Sequence, residues 1–214
     1  MKRESKEGTH TLLGAVGCGS AIVEAMFDLS RIPCRVEMID QENEGPSKER
    51  LRAVNPLLQV PALILPDGSV MTESAAMVLH AADLAPSAGL VPGAGDALRP
   101  AFLRWLIYLV GSVYPTFTYG DVTSRYVSTD AAQKDLREST DEQRKGMWRQ
   151  VEAAAVGPWF LGETMTAIDL YVWAMVRWRP RRAWFEAEAP KLAAIASALD
   201  ADPRMAEVKA RNFP

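Results

Sequence analysis

A glycine-rich stretch at residues 14–20 contains two side chains that could take part in chemistry, Cys18 and Ser20. A helix is predicted to begin near Ser20, and a thiol close to the N-terminus of a helix has a lowered pKa. Cys18 is therefore a candidate nucleophile or hydrogen-bond donor, whereas Ser20 could act on a substrate or simply cap the helix. Cys34 lies in an alternating strand pattern and is expected to be buried and inert.

The spacing of cysteine and histidine excludes several kinds of site. Cys18 and Cys34 are the only cysteines, and His10 and His80 lie far apart in the chain. These positions fit neither a structural zinc site nor a disulfide framework, so no metal is expected. A dithiol oxidoreductase of the glutaredoxin kind would need a CxxC or CxxS pair, and residues 18–21 (CGSA) provide neither.

The elements that position these residues have the order β-α-β-α-β-β-α in the first part of the chain. Strands are predicted at residues 9–16, 34–40, 62–65 and 69–71, with helices from residue 20 to the turn before residue 33, at residues 47–54 and from residue 75. Asp67-Gly68 between apolar runs is a strong hairpin signal. Thr72, Glu73 and Ser74 offer capping oxygens to the last of these helices.

The rest of the chain is predicted to be helical. Residues 85–98 are rich in glycine and proline, as interdomain connections are. Amphipathic segments follow at residues 99–113, 130–156, 167–178 and 191–199. The chain of 214 residues exceeds the usual size of one domain, about 100 to 150 residues. The prediction is an α/β domain at residues 9–84, a linker at residues 85–98 and an all-helical domain at residues 99–214.

Composition and charge exclude several classes of partner. With 48% hydrophobic and 24% charged residues, the chain has the composition of a globular protein. Its formal charge of -3, from 24 basic and 27 acidic residues, provides no broad positive field for nucleic acid. The sequence contains no signal segment and no run of about 18 apolar residues, so neither export nor a membrane span is expected. A cytoplasmic location is the resulting expectation.

Three stretches of sequence resemble motifs of one protein family. Residues 55–63 (NPLLQVPAL) resemble the NPxGxVPxL stretch of glutathione transferases, and residues 72–76 (TESAA) resemble the start of a helix in the same proteins. Residues 160–169 (FLGETMTAID) resemble their LLG and S/T-x-x-D elements, and Thr166 and Asp169 have the spacing of a capping box. The chain is therefore similar to the bacterial cytosolic-type glutathione S-transferases.

The resemblance implies a thioredoxin-like first domain that binds the peptide of glutathione. In the family the residue before a cis-proline, here Val60 before Pro61, presents its backbone to the cysteinyl part like an added strand. Ser74 would contact the γ-glutamyl carboxylate at the start of a helix, and Glu73 the γ-glutamyl ammonium group. Gln59 matches a further contact. The alternatives are a trans-proline in a turn, a simple helix cap at Glu73-Ser74 and a solvent-facing Gln59.

The chain departs from the family at the group that activates glutathione. A free thiol has a pKa of about 8.5 and is mostly protonated at neutral pH, so a donor must stabilise the thiolate. In the family this donor is a tyrosine, serine or cysteine near the end of the first strand, but Gly14 and Ala15 have no donor side chain. Cys18, Ser20 and backbone N–H groups remain, and Cys18 could donate to the sulfur or form a mixed disulfide with it. A second departure is Leu58, where a glycine is common.

The activity implied is the transfer of glutathione to a small hydrophobic electrophile, or the reduction of a hydroperoxide with it. Tyr114 and Tyr119, near a helix end in the second domain, are expected to line the electrophile pocket. Family members pair as homodimers through the helices after the linker, and residues 99–113 have the length and apolar content for this. The rival interpretation is a transferase-fold protein that no longer catalyses and serves as an interaction or regulatory module.

Overall fold

The computed structural model describes residues 8–214 and begins with a four-stranded sheet. The strands are β1 (His10–Gly14), β2 (Cys34–Met38), β3 (Ala62–Ile64) and β4 (Val70–Met71). Their order across the sheet is β2-β1-β3-β4, with β1 parallel to β2 and antiparallel to β3, and with β3 antiparallel to β4. The predicted order of elements and the hairpin at Asp67-Gly68 are confirmed, and Gly68 has a left-handed backbone with φ 87°.

Three helices accompany the sheet. They are α1 (Ser20–Leu29), α2 (Pro46–Val54) and α3 (Ser74–Leu84). The residues that recur at helical spacing in α1 are buried, and they include Ile22, Val23, Met26 and Phe27. Because α1 contacts β1, β2 and α3, its apolar side chains form the core of this part of the protein.

All four strands are shorter than predicted, and the difference is largest for β1 and β2. β1 ends at Gly14 rather than at residue 16, and β2 ends at Met38 rather than at residue 40. Beyond β1 the chain turns into a loop that leads to α1. Beyond β2 the Asp40 carboxylate accepts the backbone N–H groups of Glu42 and Asn43 at 3.0 Å each, and this hydrogen bonding starts a turn.

The chain divides into two compact units. The first contains the described chain up to Val91 together with Leu199–Pro214, and the second is Pro92–Ala198. The helical domain predicted from the sequence extended to residue 214, whereas the C-terminal segment packs with the sheet unit. That segment contains the last helix, α10 (Ala206–Asn212), which contacts α1.

The second unit is helical, as predicted. Its helices are α4 (Arg99–Tyr108), α5 (Tyr114–Asp121), α6 (Asp130–Ala154), α7 (Ala167–Met175), α8 (Arg182–Glu188) and most of α9 (Pro190–Ala201). The helix predicted at residues 99–113 does not end there, since α4 continues through a π-helical turn at Leu109–Val113 into α5. Every residue of α7 is buried, which places this helix in the core of the unit.

The capping box predicted from Thr166 and Asp169 is present at the start of α7. The Asp169 carboxylate accepts the backbone N–H of Thr166 at 2.7 Å and that of Phe160 at 2.8 Å. Burial raises the pKa of Asp169 to about 6. The carboxylate therefore ties the turn at Phe160 to the first turn of α7.

Candidate functional site

Three segments meet at one end of the sheet. β1 leads into the loop at residues 15–19, β3 begins directly after Pro61, and Glu73 follows shortly after β4. The register brings these segments together, because the strand residues beside them are paired: Leu13 with Ala62, and Leu63 with Met71. The candidate site predicted from the sequence is thus gathered by the sheet unit.

The peptide bond between Val60 and Pro61 is cis, as predicted. Asn55 builds the loop before it, since its Nδ2 donates to the carbonyl of Gln59 at 2.9 Å and its Oδ1 accepts the N–H of Leu57 at 3.2 Å. Asn55 is buried, so both polar ends of its side chain are satisfied by the loop. Gln59 itself is exposed and Val60 is half-buried. The structure thus assigns to Asn55 a supporting role that the motif alone did not reveal.

Leu58 stands where the family commonly has glycine, and its backbone is left-handed with φ 55°. That conformation favours glycine and costs a residue with a side chain roughly 1 to 2 kcal/mol. The Leu58 side chain offsets this cost by packing against a hydrophobic cluster, whose buried members are Leu13, Ile39, Leu51 and Ala62. The loop before the cis-proline therefore keeps the left-handed course that a glycine would take.

Glu73 and Ser74 lie at the N-terminus of α3, with Ser74 as the first helical residue. Glu73 has φ 67°, and strain of this kind in a residue with a side chain is concentrated at functional sites. Glu73 occupies the N-cap position of α3, but its side chain is exposed and makes no capping hydrogen bond. The positive end of the α3 dipole favours an anion beside Ser74.

The Ser20 hydroxyl is buried and hydrogen-bonds to the backbone of Ala15. Its Oγ accepts the N–H of Ala15 at 3.1 Å and donates to the carbonyl of the same residue at 3.2 Å. Gly14 makes room for this arrangement, because a Cβ there would lie 2.9 Å from both Cβ and Oγ of Ser20. Ser20 does not cap α1, whose N-cap is Gly19. Its hydroxyl therefore shapes the loop and is not exposed to a substrate.

Cys18 lies half-buried in the loop, and its Sγ donates to Oε1 of Gln41 at 3.4 Å. Burial raises the pKa of the Cys18 thiol, which corrects the expectation of a lowered pKa. The reason is desolvation, because loss of water around the sulfur disfavours the thiolate. Cys34 is half-buried rather than fully buried, and burial raises its pKa to about 11, in agreement with the predicted inertness.

The loop also has a partner that sequence reasoning missed. The N–H of Gly17 donates to the carbonyl of Asn212 in α10 at 2.8 Å. Gly17 has φ 71°, a conformation that favours glycine. The two residues come from opposite ends of the chain, so no spacing within a local window indicates this contact.

Tyr114 and Tyr119, predicted to line one pocket, belong to different aromatic groups. The ring centroid of Tyr114 lies 6.4 Å from that of Phe117 and 5.3 Å from that of Trp178, both in edge contacts. Tyr119 is exposed, and its ring centroid lies 4.9 Å from that of Tyr126. A spacing of five residues separates side chains on a helix by about 140°. The structure therefore does not bring Tyr114 and Tyr119 together on one face of α5.

Among residues 8–214, no group of histidine, cysteine, aspartate and glutamate side chains is arranged to hold a metal ion. Within this described range, no helix has both the length and the apolar character needed to cross a membrane.

Comparison with known proteins identifies the family. A family model described as the N-terminal domain of glutathione S-transferase matches residues 20–84. The uncharacterised GST-like protein YncG of Escherichia coli strain K12 is 39% identical over 202 residues, which are 93% of this chain and 96% of that protein. The chain belongs to the glutathione S-transferase family.

Further relatives agree with this family assignment. Glutathione S-transferase GstA of Escherichia coli O157:H7 is 31% identical over 129 residues, 59% of this chain and 60% of its own. A glutathione transferase homologue from Sulfitobacter, solved with bound glutathione, matches with a TM-score of 0.82 and 23% identity over 96% of this chain and 99% of its own. A sphingomonad glutathione S-transferase complexed with glutathione gives a TM-score of 0.77 and 22% identity over 95% and 100% of the two chains. This transferase family member thus shares its thioredoxin-like sheet unit and helical remainder with both structures.

Proposed function

We propose that this family member binds glutathione at the end of its sheet and transfers it to a small hydrophobic electrophile, as in detoxification, or reduces a hydroperoxide with it. The observation that carries the proposal is the placement of the cis Val60-Pro61 bond and of Glu73 and Ser74 at the same end of the sheet. Backbone before a cis-proline can pair with the cysteinyl backbone of a peptide, and the start of a helix attracts a carboxylate. Two proteins of the same fold were solved with glutathione bound.

The roles of the peptide-binding residues follow from charge and exposure. Ser74, at the positive end of α3, contacts the γ-glutamyl carboxylate. Glu73 is exposed and acidic, so it meets the γ-glutamyl ammonium group. Val60 pairs with the cysteinyl backbone, Pro61 shapes that pairing, and Gln59 is exposed beside them.

Cys18 supplies the hydrogen bond to the sulfur of glutathione. A thiol with a raised pKa keeps its proton at neutral pH and can donate it, whereas a nucleophilic cysteine needs a lowered pKa. Ser20, the other candidate from the sequence, keeps its hydroxyl on Ala15 and holds the shape of the loop. Backbone N–H groups of the same loop contribute to stabilising the thiolate.

The rest of the proposal concerns the co-substrate and the assembly. Tyr114 and Tyr119 contribute to the electrophile site through their separate aromatic groups, and Tyr114 is the better enclosed of the two. The protein acts as a cytoplasmic homodimer without metal, nucleic acid or membrane partner. Sedimentation equilibrium measures the dimer directly.

One observation favours a second function, glutathione binding without catalysis. The Ser20 hydroxyl is occupied by hydrogen bonds to the backbone of Ala15, and no tyrosine stands at the end of β1. The loop therefore lacks an available side chain of the kind that usually activates the thiol in this family. A protein of this kind would serve as an interaction or regulatory module.

Calorimetric titration with glutathione, together with turnover of chlorodinitrobenzene and cumene hydroperoxide, separates these functions. Ser74→Ala is expected to weaken glutathione binding roughly tenfold or more, because a hydrogen bond to a charged group is lost. Ser87→Ala, at an exposed serine of the turn Pro86–Ala88, is the matched control and should bind like the wild type. Binding with turnover supports the transferase, and binding without turnover supports the module. Absence of binding by the wild-type protein would reject both.

A further inference from the structure

A network of polar side chains, here called the α10 network, connects the loop at residues 15–19 to the last helix. The N–H of Gly17 donates to the carbonyl of Asn212 at 2.8 Å, and the Asn212 side chain donates to Oε2 of Glu24 at 2.9 Å. Arg211 forms an ion pair with Oε1 of the same carboxylate. The α10 network therefore consists of Glu24 in α1 with Arg211 and Asn212 in α10.

Glu24 is an unusual residue for the buried part of α1. It is 5% exposed, and Asn212 is 1% exposed. A buried carboxylate is costly unless it is paired and hydrogen-bonded, and the partners of Glu24 come from α10. Burial raises the pKa of Glu24, while Asn212 and Arg211 act in the opposite direction. An apolar side chain would stabilise this position more simply, so the contacts that the buried Glu24 carboxylate fixes explain its presence better than stability does.

The position of Glu24 on α1 relates it to the loop. Ser20 and Glu24 are four residues apart, so they lie on the same face of the helix, one turn from each other. Ser20 holds the loop at Ala15, and Glu24 holds it through Asn212 at Gly17. The loop is thus fixed at Ala15, directly after β1, and at Gly17, directly before Cys18.

We propose that the α10 network positions the loop that presents the donor to the sulfur of glutathione. The inference rests on the proposed function. Glu24, Arg211 and Asn212 act through the backbone of Gly17 and are positioning residues. Since the peptide of glutathione is held by the cis-proline segment and the start of α3, loss of the network changes the activation of the sulfur while affinity is retained.

The test compares Glu24→Gln and Asn212→Ala with a matched control, Lys209→Met. The ion pair of Lys209 with Asp200, at 3.7 Å, also holds α10 in the sheet unit but involves no residue of the network. The measurements are kcat, KM for glutathione, and the pH titration of the ultraviolet absorbance of the bound thiolate. Both network variants should lower kcat roughly tenfold and raise the pKa of bound glutathione, with KM within about twofold of the wild type. Lys209→Met should behave like the wild type.

A second pair of variants controls for misfolding as the cause of a lower kcat. The Arg211 side chain is 43% exposed, so Arg211→Met should remain folded, and Arg211→Lys should recover part of the lost kcat because it keeps the charge. Equal losses in Lys209→Met, or unchanged kcat and thiol pKa in folded network variants, would overturn the inference.

A readout without glutathione separates this inference from the proposed function. Alkylation of Cys18 by iodoacetamide should become several-fold faster in the network variants than in Lys209→Met, because a released loop exposes the half-buried thiol. If the wild-type protein binds no glutathione, the proposed function fails, and the alkylation rates still decide the positioning role. Equal rates in all variants would contradict it.

Discussion

The segment from Asn55 to Pro61 and the loop at residues 15–19 reach the same end of the sheet, but different kinds of contact hold them. In the first segment Asn55 hydrogen-bonds to Gln59, only four residues away. The loop is closed by Ser20 on one side and by Asn212, from the other end of the chain, on the other. The hydrogen bonds that shape the peptide half of the proposed site are therefore local, whereas those of the sulfur half include one between distant parts of the chain.

This difference explains why the sequence predicted the residues of the peptide half better than those of the sulfur half. A locally built segment contains its own supports, so a short motif predicts both its shape and its ligand. In the loop, burial and neighbours distant in sequence decide which side chain could act on the sulfur, so a short motif does not predict it. The expected lowering of the Cys18 pKa is corrected for this reason, since burial raises that pKa.

The largest effect is expected at another feature whose supports are near in sequence, the capping box of α7. Asp169→Ala leaves the buried N–H groups of Phe160 and Thr166 without their acceptor, and each such loss costs about 1 to 3 kcal/mol. The free energy of unfolding should fall by about 3 kcal/mol or more. Urea unfolding measures it, and Asp130→Ala in the first turn of α6 is a control that should change it by less than about 1 kcal/mol.

The pH dependence of stability tests the same carboxylate. Burial raises the pKa of Asp169 from 3.8 to about 6, so the folded protein holds this proton more tightly than the unfolded chain. The contribution is fully present below pH 4 and is lost as pH rises to about 6, by roughly 3 kcal/mol in the free energy of unfolding. Asp169→Asn should remove this part of the slope. Parallel slopes in both proteins would show that Asp169 is ionised throughout.

Gly14→Ala tests the sulfur half. The added Cβ would lie 2.9 Å from Cβ and Oγ of Ser20, which is buried and bonded to Ala15, so neither group can move freely. The free energy of unfolding should fall by about 2 kcal/mol, and kcat should fall while glutathione affinity stays within about twofold. Gly146→Ala, where α6 leaves open space, should instead stabilise by about 0.5 to 1 kcal/mol. An equal loss of affinity and kcat would show that the two halves are not separable.

Asn55→Ala tests the peptide half. It removes the side-chain bonds to Leu57 and Gln59, so glutathione affinity should fall by about 1 to 2 kcal/mol, with kcat at saturation little changed. Asn43→Ala, which removes an exposed bond to Asp40, should bind glutathione normally. Calorimetry and steady-state kinetics measure the two quantities. A fall in kcat without a fall in glutathione affinity would show that Asn55 supports the sulfur half and not the peptide half.

The smallest effect concerns the titration of Cys18. Because burial raises its pKa, alkylation of Cys18 by iodoacetamide should reach half its maximal rate above the pH of an ordinary thiol, about 8.5. The measurement is made in Cys34→Ala, and mass spectrometry confirms the modified residue. A midpoint below neutrality would restore Cys18 as a nucleophile and remove the proposed donor role.

Much of the fold could be predicted because its signals are short in range. The period of α1, the turn at Asp67-Gly68 and the spacing of Thr166 and Asp169 each act within a few residues, and all three are confirmed. Glu73 shows the limit of such signals. It stands at the N-cap position of α3, but its side chain makes no capping hydrogen bond and its backbone has a positive φ.

The sequence by itself determined the resemblance to the family, the order of strands and helices, and the segments proposed to face the peptide of glutathione, because these depend on neighbours along the chain. Only the tertiary structure decided the state of the loop at residues 15–19. Burial set the direction of the Cys18 pKa, the space beside Gly14 set the orientation of Ser20, and α10 supplied a partner for Gly17. Desolvation and contacts between distant residues have no local pattern, and the proposed chemistry at the sulfur depends on both.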